Sequence, residues 1–85
     1  MRTGTLCEVI YAYGPHPEDE TRYAPIAENG LYMQTLPNRM CEVFLPGGRI
    51  VRCSRTRLVA RVFPDDPTYA VRFAELFPGQ SAEAA

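Results

Sequence analysis

Apolar and polar residues alternate one by one through residues 5–13, 31–35 and 40–62, and the period lengthens to that of a helix only near the end. Residues 40–62, MCEVFLPGGRIVRCSRTRLVARV, are the organising stretch. The alternation is interrupted at Leu45-Pro46-Gly47-Gly48 and again through Cys53-Ser54-Arg55-Thr56-Arg57, which predicts three short antiparallel strands in succession. Proline presets the first central position of a tight turn and glycine accepts a positive φ at the second, so Pro46-Gly47 suits the first interruption. Ser54–Arg57 predicts a single 3₁₀ turn. On these strands Cys41 and Val43 are expected to point inward with Glu42 in solvent, Val51 and Cys53 to share one face, and Leu58, Ala60 and Val62 to point inward.

Upstream, Thr5–Tyr13 predicts the first strand. Its Glu8 prefers water, so Cys7, Val9, Tyr11 and Tyr13 are expected on the inner face, the tyrosines half-buried with their hydroxyls reaching solvent. Gly14–Asn29 carries three prolines and the cluster Glu18-Asp19-Glu20, and predicts a long loop of the functional or folded-back kind. Asn29-Gly30 signals a turn into a strand at Leu31–Thr35, and Leu36–Arg39 the next turn. Downstream, Tyr69, Phe73, Leu76 and Phe77 recur at helical spacing, with Asp66 able to cap, Pro67 tolerated in the first turn and Pro78-Gly79 as terminator. This aromatic face packs either on the chain's own strands, the expected case, or on a neighbour. Residues 81–85 are expected to be a frayed tail.

The prediction is an all-β domain with a C-terminal helix: five strands over residues 1–63, a long first loop, a short 3₁₀ turn before the last strand, the helix within 64–80, and the tail. Eighty-five residues allow one domain with a small core. The segment GLYMQTLPNRMCEVFLPGGRIVRCSRTRLVARV, with its strand order, resembles the SH3-like barrel family that includes KOW and Tudor modules. More narrowly it is similar to a group of short bacteriophage proteins, through Gly30, Val43, Phe44, Gly48, Arg49, Val51 and Leu58. The resemblance spans about residues 5–62; this chain lacks a tryptophan and adds the C-terminal extension. It implies a five-stranded SH3-like barrel and says little about function.

Charge changes the picture more than composition does. The net charge is -1, yet residues 1–36 sum to -3, residues 37–62 to +5, and residues 63–85 to -3. Either the basic middle faces an anionic partner or the acidic flanks neutralise it, and neutralisation is the expectation. Cys7, Cys41 and Cys53 lack metal-site or disulfide spacing and read as buried small hydrophobes. His16, between two prolines, has no partner for acid–base work. No nucleophile elbow, phosphate loop or ligand spacing is present, so no enzyme, cofactor or metal is expected. No apolar run reaches membrane-spanning length. The expected location is the cytoplasm or the inside of a larger assembly such as a virion.

These features lead to a non-catalytic protein-interaction module, of the phage accessory, assembly or host-protein-binding kind. Tyr23, Tyr32, Phe44, Arg52, Arg55 and Arg57 are the expected partner-binding set, because arginine and aromatic residues dominate interfaces. The alternatives are a KOW-like nucleic-acid binder using the arginine-rich strands and a homo-oligomeric or virion subunit using Tyr69, Phe73, Leu76 and Phe77.

Overall fold

A computed structural model describes residues 1–80; the expected tail at 81–85 lies outside the described residues. Five antiparallel strands form one sheet: β1 (Leu6–His16), β2 (Asp19–Thr35), β3 (Met40–Phe44), β4 (Ile50–Ser54) and β5 (Leu58–Val62). Their spatial order is β4-β3-β2-β1-β5. A 3₁₀ turn, Arg55–Arg57, joins β4 to β5, and Ser54 accepts a hydrogen bond from the Thr56 amide at its start. Among the described residues one short α-helix, α1 (Tyr69–Leu76), follows. Among the described residues no helix is long and apolar enough to cross a membrane.

The sheet buries apolar residues on both faces. One cluster takes side chains from all five strands: Cys7 and Val9 of β1, Tyr32 of β2, Cys41 and Val43 of β3, Cys53 of β4, and Leu58 of β5, with Leu45 beside them. The second cluster lies beneath α1, where Phe73 and Phe77 pack on Leu6, Leu31, Phe44 and Val62. The Phe44 and Phe77 rings stack at 5.6 Å. The helix therefore sits on its own sheet, and it explains why the alternation leaves large apolar residues on the face away from the first cluster. Asp66 organises the approach to the helix, because its carboxylate accepts from the amide and hydroxyl of Thr68 at 2.8 and 2.7 Å. Tyr69 ties the helix start to the N-terminal turn by donating its hydroxyl hydrogen to the Gly4 carbonyl at 2.5 Å.

Five expectations need correction. Gly14–Asn29 is not a loop: β1 and β2 stay paired out to His16–Asp19, leaving Pro17-Glu18 as a two-residue turn. Asn29-Gly30 is not a turn either. It lies inside β2, and Gly30 is there because a Cβ would stand 2.6 Å from Val43 and 2.9 Å from the Phe44 carbonyl oxygen. Tyr11 and Tyr13 do not continue the inward row of Cys7 and Val9. The register slips between Ile10 and Ala12, and one extra residue in a strand moves everything beyond it to the other face. A second slip, between Leu6 and Cys7 against β5, puts Val62 beside Leu6 under the helix instead of inward with Leu58. Finally, Glu42 is buried, 8 % exposed, where solvent was expected. Its carboxylate is satisfied by Gln34 at 2.6 Å and Arg52 at 3.1 Å, which makes that burial tolerable.

Candidate interaction surface

Pairing with β5 ends at Val9, and pairing with β3 begins at Leu31. Between those points β1 and β2 pair only with each other, so residues 10–29 form a two-stranded arm leaving the body. From Ile10 to His16 it reaches about 20 Å at ordinary strand rise. The chain's dimensions reflect it: the radius of gyration is 13.8 Å and the long extent 43 Å, whereas a compact chain of this length has a radius of about 12 Å.

The register places Tyr13 opposite Pro25 and Pro15 opposite Tyr23. These four residues share one face of the arm, and the tyrosines are 65 % and 78 % exposed. Ile26, 55 % exposed, lies on the other face, against Gly14. The turn end carries Glu18, Asp19 and Glu20. Hydrogen bonds from the hydroxyl and amide of Thr21 hold the Asp19 carboxyl below its ordinary range. Both edges of the ribbon are poor templates for a further strand. Prolines at 15 and 25 lack an amide donor, and Arg57 occupies the Tyr11 and Ile10 carbonyls at 3.1 and 3.5 Å. Recognition through this arm therefore belongs to its side-chain faces.

At the arm's base a groove of about 420 Å³ opens between Tyr11 and the β3–β4 strands. Met40, Val51 and Cys53 supply its apolar lining, and Arg52, Ser54 and Arg57 its polar lining. Glu28 reaches across from β2 to Arg49 at 2.7 Å, pinning the arm's base to the β3–β4 turn. Partial burial, with Glu28 nearby, raises the Tyr11 phenol above its usual pKa, so it is a neutral hydrogen-bonding group at physiological pH.

The expected contact residues do not form one surface. Tyr23 is on the arm, and Arg52 and Arg57 meet in the groove. Arg55 spends a guanidinium hydrogen bond on the Leu58 carbonyl at 3.0 Å. Tyr32 is interior, 4 % exposed, with its hydroxyl bonded to Thr35. Phe44 belongs to the helix-side cluster. Tyr32 is thus corrected from a contact residue to a core residue, and Phe44 to a partly buried residue packed under the helix: alternation sends them to opposite faces, and both faces are covered. Tyr69, Phe73, Leu76 and Phe77 all pack in the helix-side cluster. Tyr11 and Tyr13 were missed as surface residues because the bulge that turns them out has no signature in the sequence.

The arginines are largely engaged. Among the described residues Arg49 pairs with Glu28, Arg61 with Glu8 at 3.0 Å, Arg52 with Glu42 at 3.1 Å, Arg72 with Glu75 and Arg2 with Asp65. Cys7, Cys41 and Cys53 are free and buried in the first cluster, and burial pushes the Cys7 thiol up to about 11. No group of three or more His, Cys, Asp or Glu among the described residues could hold a metal ion.

No family model matches the chain, and no curated protein or solved structure is significantly similar to it.

Proposed function

We propose that the chain is an SH3-like barrel working as a non-catalytic protein-interaction module, of the accessory or assembly kind known among short bacteriophage proteins. The barrel reading is supported by the strand order β4-β3-β2-β1-β5, the 3₁₀ turn before β5 and a core cluster fed by all five strands. One observation carries the function: a two-stranded arm standing clear of the body with Tyr13 and Tyr23 exposed on one face. Exposed aromatic residues on a preordered element are effective anchors, because they bury much area at small entropic cost. The groove at the arm's base, with Arg52, Arg57 and Tyr11, extends the contact surface. The protein reading is favoured over nucleic acid because Arg49, Arg52 and Arg61 are each tied to a carboxylate of the same chain.

The test is photo-crosslinking from position 23 in a lysate of the native host. The protein reading requires a discrete protein adduct that Tyr13→Ala removes while the far-ultraviolet spectrum stays that of the parent. Retention on heparin or RNA that falls steeply with salt, together with no protein adduct, would replace it with the KOW-like alternative.

A further inference from the structure

Setting the five ion pairs aside, the charges left on the arm and at its base are segregated. Glu18, Asp19 and Glu20 stand at the arm's turn. Arg55 and Arg57 stand on the 3₁₀ turn at its base, where they bond only to backbone carbonyls. Arg22 is the one arginine in the arm's sequence, residues 10–29. The arm is therefore negative at its end and positive at its root. Along the ribbon the tip lies about 20 Å from the root at ordinary strand rise, well beyond the roughly 8 Å over which charges attract at physiological salt. Among the described residues no ion pair joins the tip to the body. The attraction cannot be satisfied within one molecule.

We infer that the arm's Tyr13–Tyr23 face is a self-association surface whose occupant is the arm of a second copy, laid antiparallel about a two-fold axis. That arrangement puts each acidic tip against the partner's Arg55–Arg57 root. It also stacks the tip-side Tyr23/Pro15 rung on the partner's root-side Tyr13/Pro25 rung, and the reverse. A two-fold contact repeats each pairing, so one self-complementary patch closes the assembly at two copies. The proline-blunted edges exclude continuation of the sheet between copies, leaving face-to-face packing as the mode. The contact is small, below about 1,200 Å² in total, which belongs to weak, concentration-dependent association. This rests on the assignment of the arm as an interaction surface. It needs no outside partner, so its failure leaves the crosslinking test standing.

Sedimentation velocity on the purified chain distinguishes the outcomes. In about 0.02 M salt the mass should rise with concentration from 9.6 kDa towards twice that value, and in about 0.5 M salt it should return to the monomer. Glu18→Arg combined with Glu20→Arg should weaken dimerisation about tenfold or more at low salt. Tyr23→Ala should weaken it without altering the salt dependence. Both sites are exposed, so neither change touches the core. A chain that stays monomeric at millimolar concentration in low salt overturns the inference. So does a dimer indifferent to both salt and the tip reversal.

Discussion

Gly30 and Glu42 show how single residues are constrained within the paired strands of the sheet. At Gly30 the obstacles are two branched side chains and a backbone oxygen, all within 2.9 Å of a would-be Cβ. The backbone oxygen cannot rotate away. Gly30→Ala should therefore lose about 1–3 kcal/mol through overpacking, read as a lower midpoint in urea at an unchanged slope. Glu42 carries a pH signature. Hydrogen bonds from Gln34 and then Arg52 hold its carboxyl below the usual range. A lowered folded-state pKa contributes stability above the unfolded value of about 4.3, and that stability is lost as pH falls through the folded pKa. The gap in thermal midpoint between the parent and Glu42→Gln should accordingly be widest at neutral pH and shrink below about pH 4. A gap independent of pH would mean the carboxylate's charge is immaterial and only its shape matters.

Among the elements, α1 depends most on a few contacts. It is eight residues long, too short to persist alone in water, and is held by Phe73 and Phe77 against Leu6, Leu31, Phe44 and Val62. Phe77→Ala removes the ring stacked on Phe44 and should cost about 3–5 kcal/mol, with amide exchange in residues 69–77 accelerating before that of β3. The helix face was legible in the sequence because its period is regular and its terminators stand where they act. The inward positions Cys41, Val43 and Leu58 were legible because the alternation runs unbroken through their strands, and the 3₁₀ turn because the alternation breaks there. The faces of β1 were not. A bulge adds a residue without any compositional mark, so Tyr13, in step with Val9 by parity, emerges on the opposite side. The arm was hidden by its prolines. They forbid a central strand but are tolerated in a two-stranded ribbon whose outer edges need no donors. Tyr32 and Phe44 escaped for another reason: the helix was expected on the strands, but its period does not say which strand residues it covers.

At the scale of the whole molecule, a body with two apolar clusters carries an arm that contributes little to either. No side-chain hydrogen bond or ion pair runs from residues 14–24 to the body among the described residues; those involving the turn are local, within residues 16–21. A two-stranded ribbon on its own is of marginal stability, and its order rests on the root, where Arg57 grips the Tyr11 and Ile10 carbonyls and Glu28 holds Arg49. If body and arm are separable, replacing residues 14–24 by Asn-Gly, a pair suited to a two-residue hairpin turn, should keep cooperative unfolding with a midpoint within a few degrees of the parent's. Solution scattering should then show the radius of gyration falling from 13.8 Å towards the roughly 12 Å of a compact chain. The salt-dependent dimer should vanish, since the variant lacks the acidic tip and Tyr23. Broadened or lost cooperative unfolding would instead make the arm part of the folding unit. The body would then be no independent platform, and the exposed tyrosines would owe their position to stability more than to recognition.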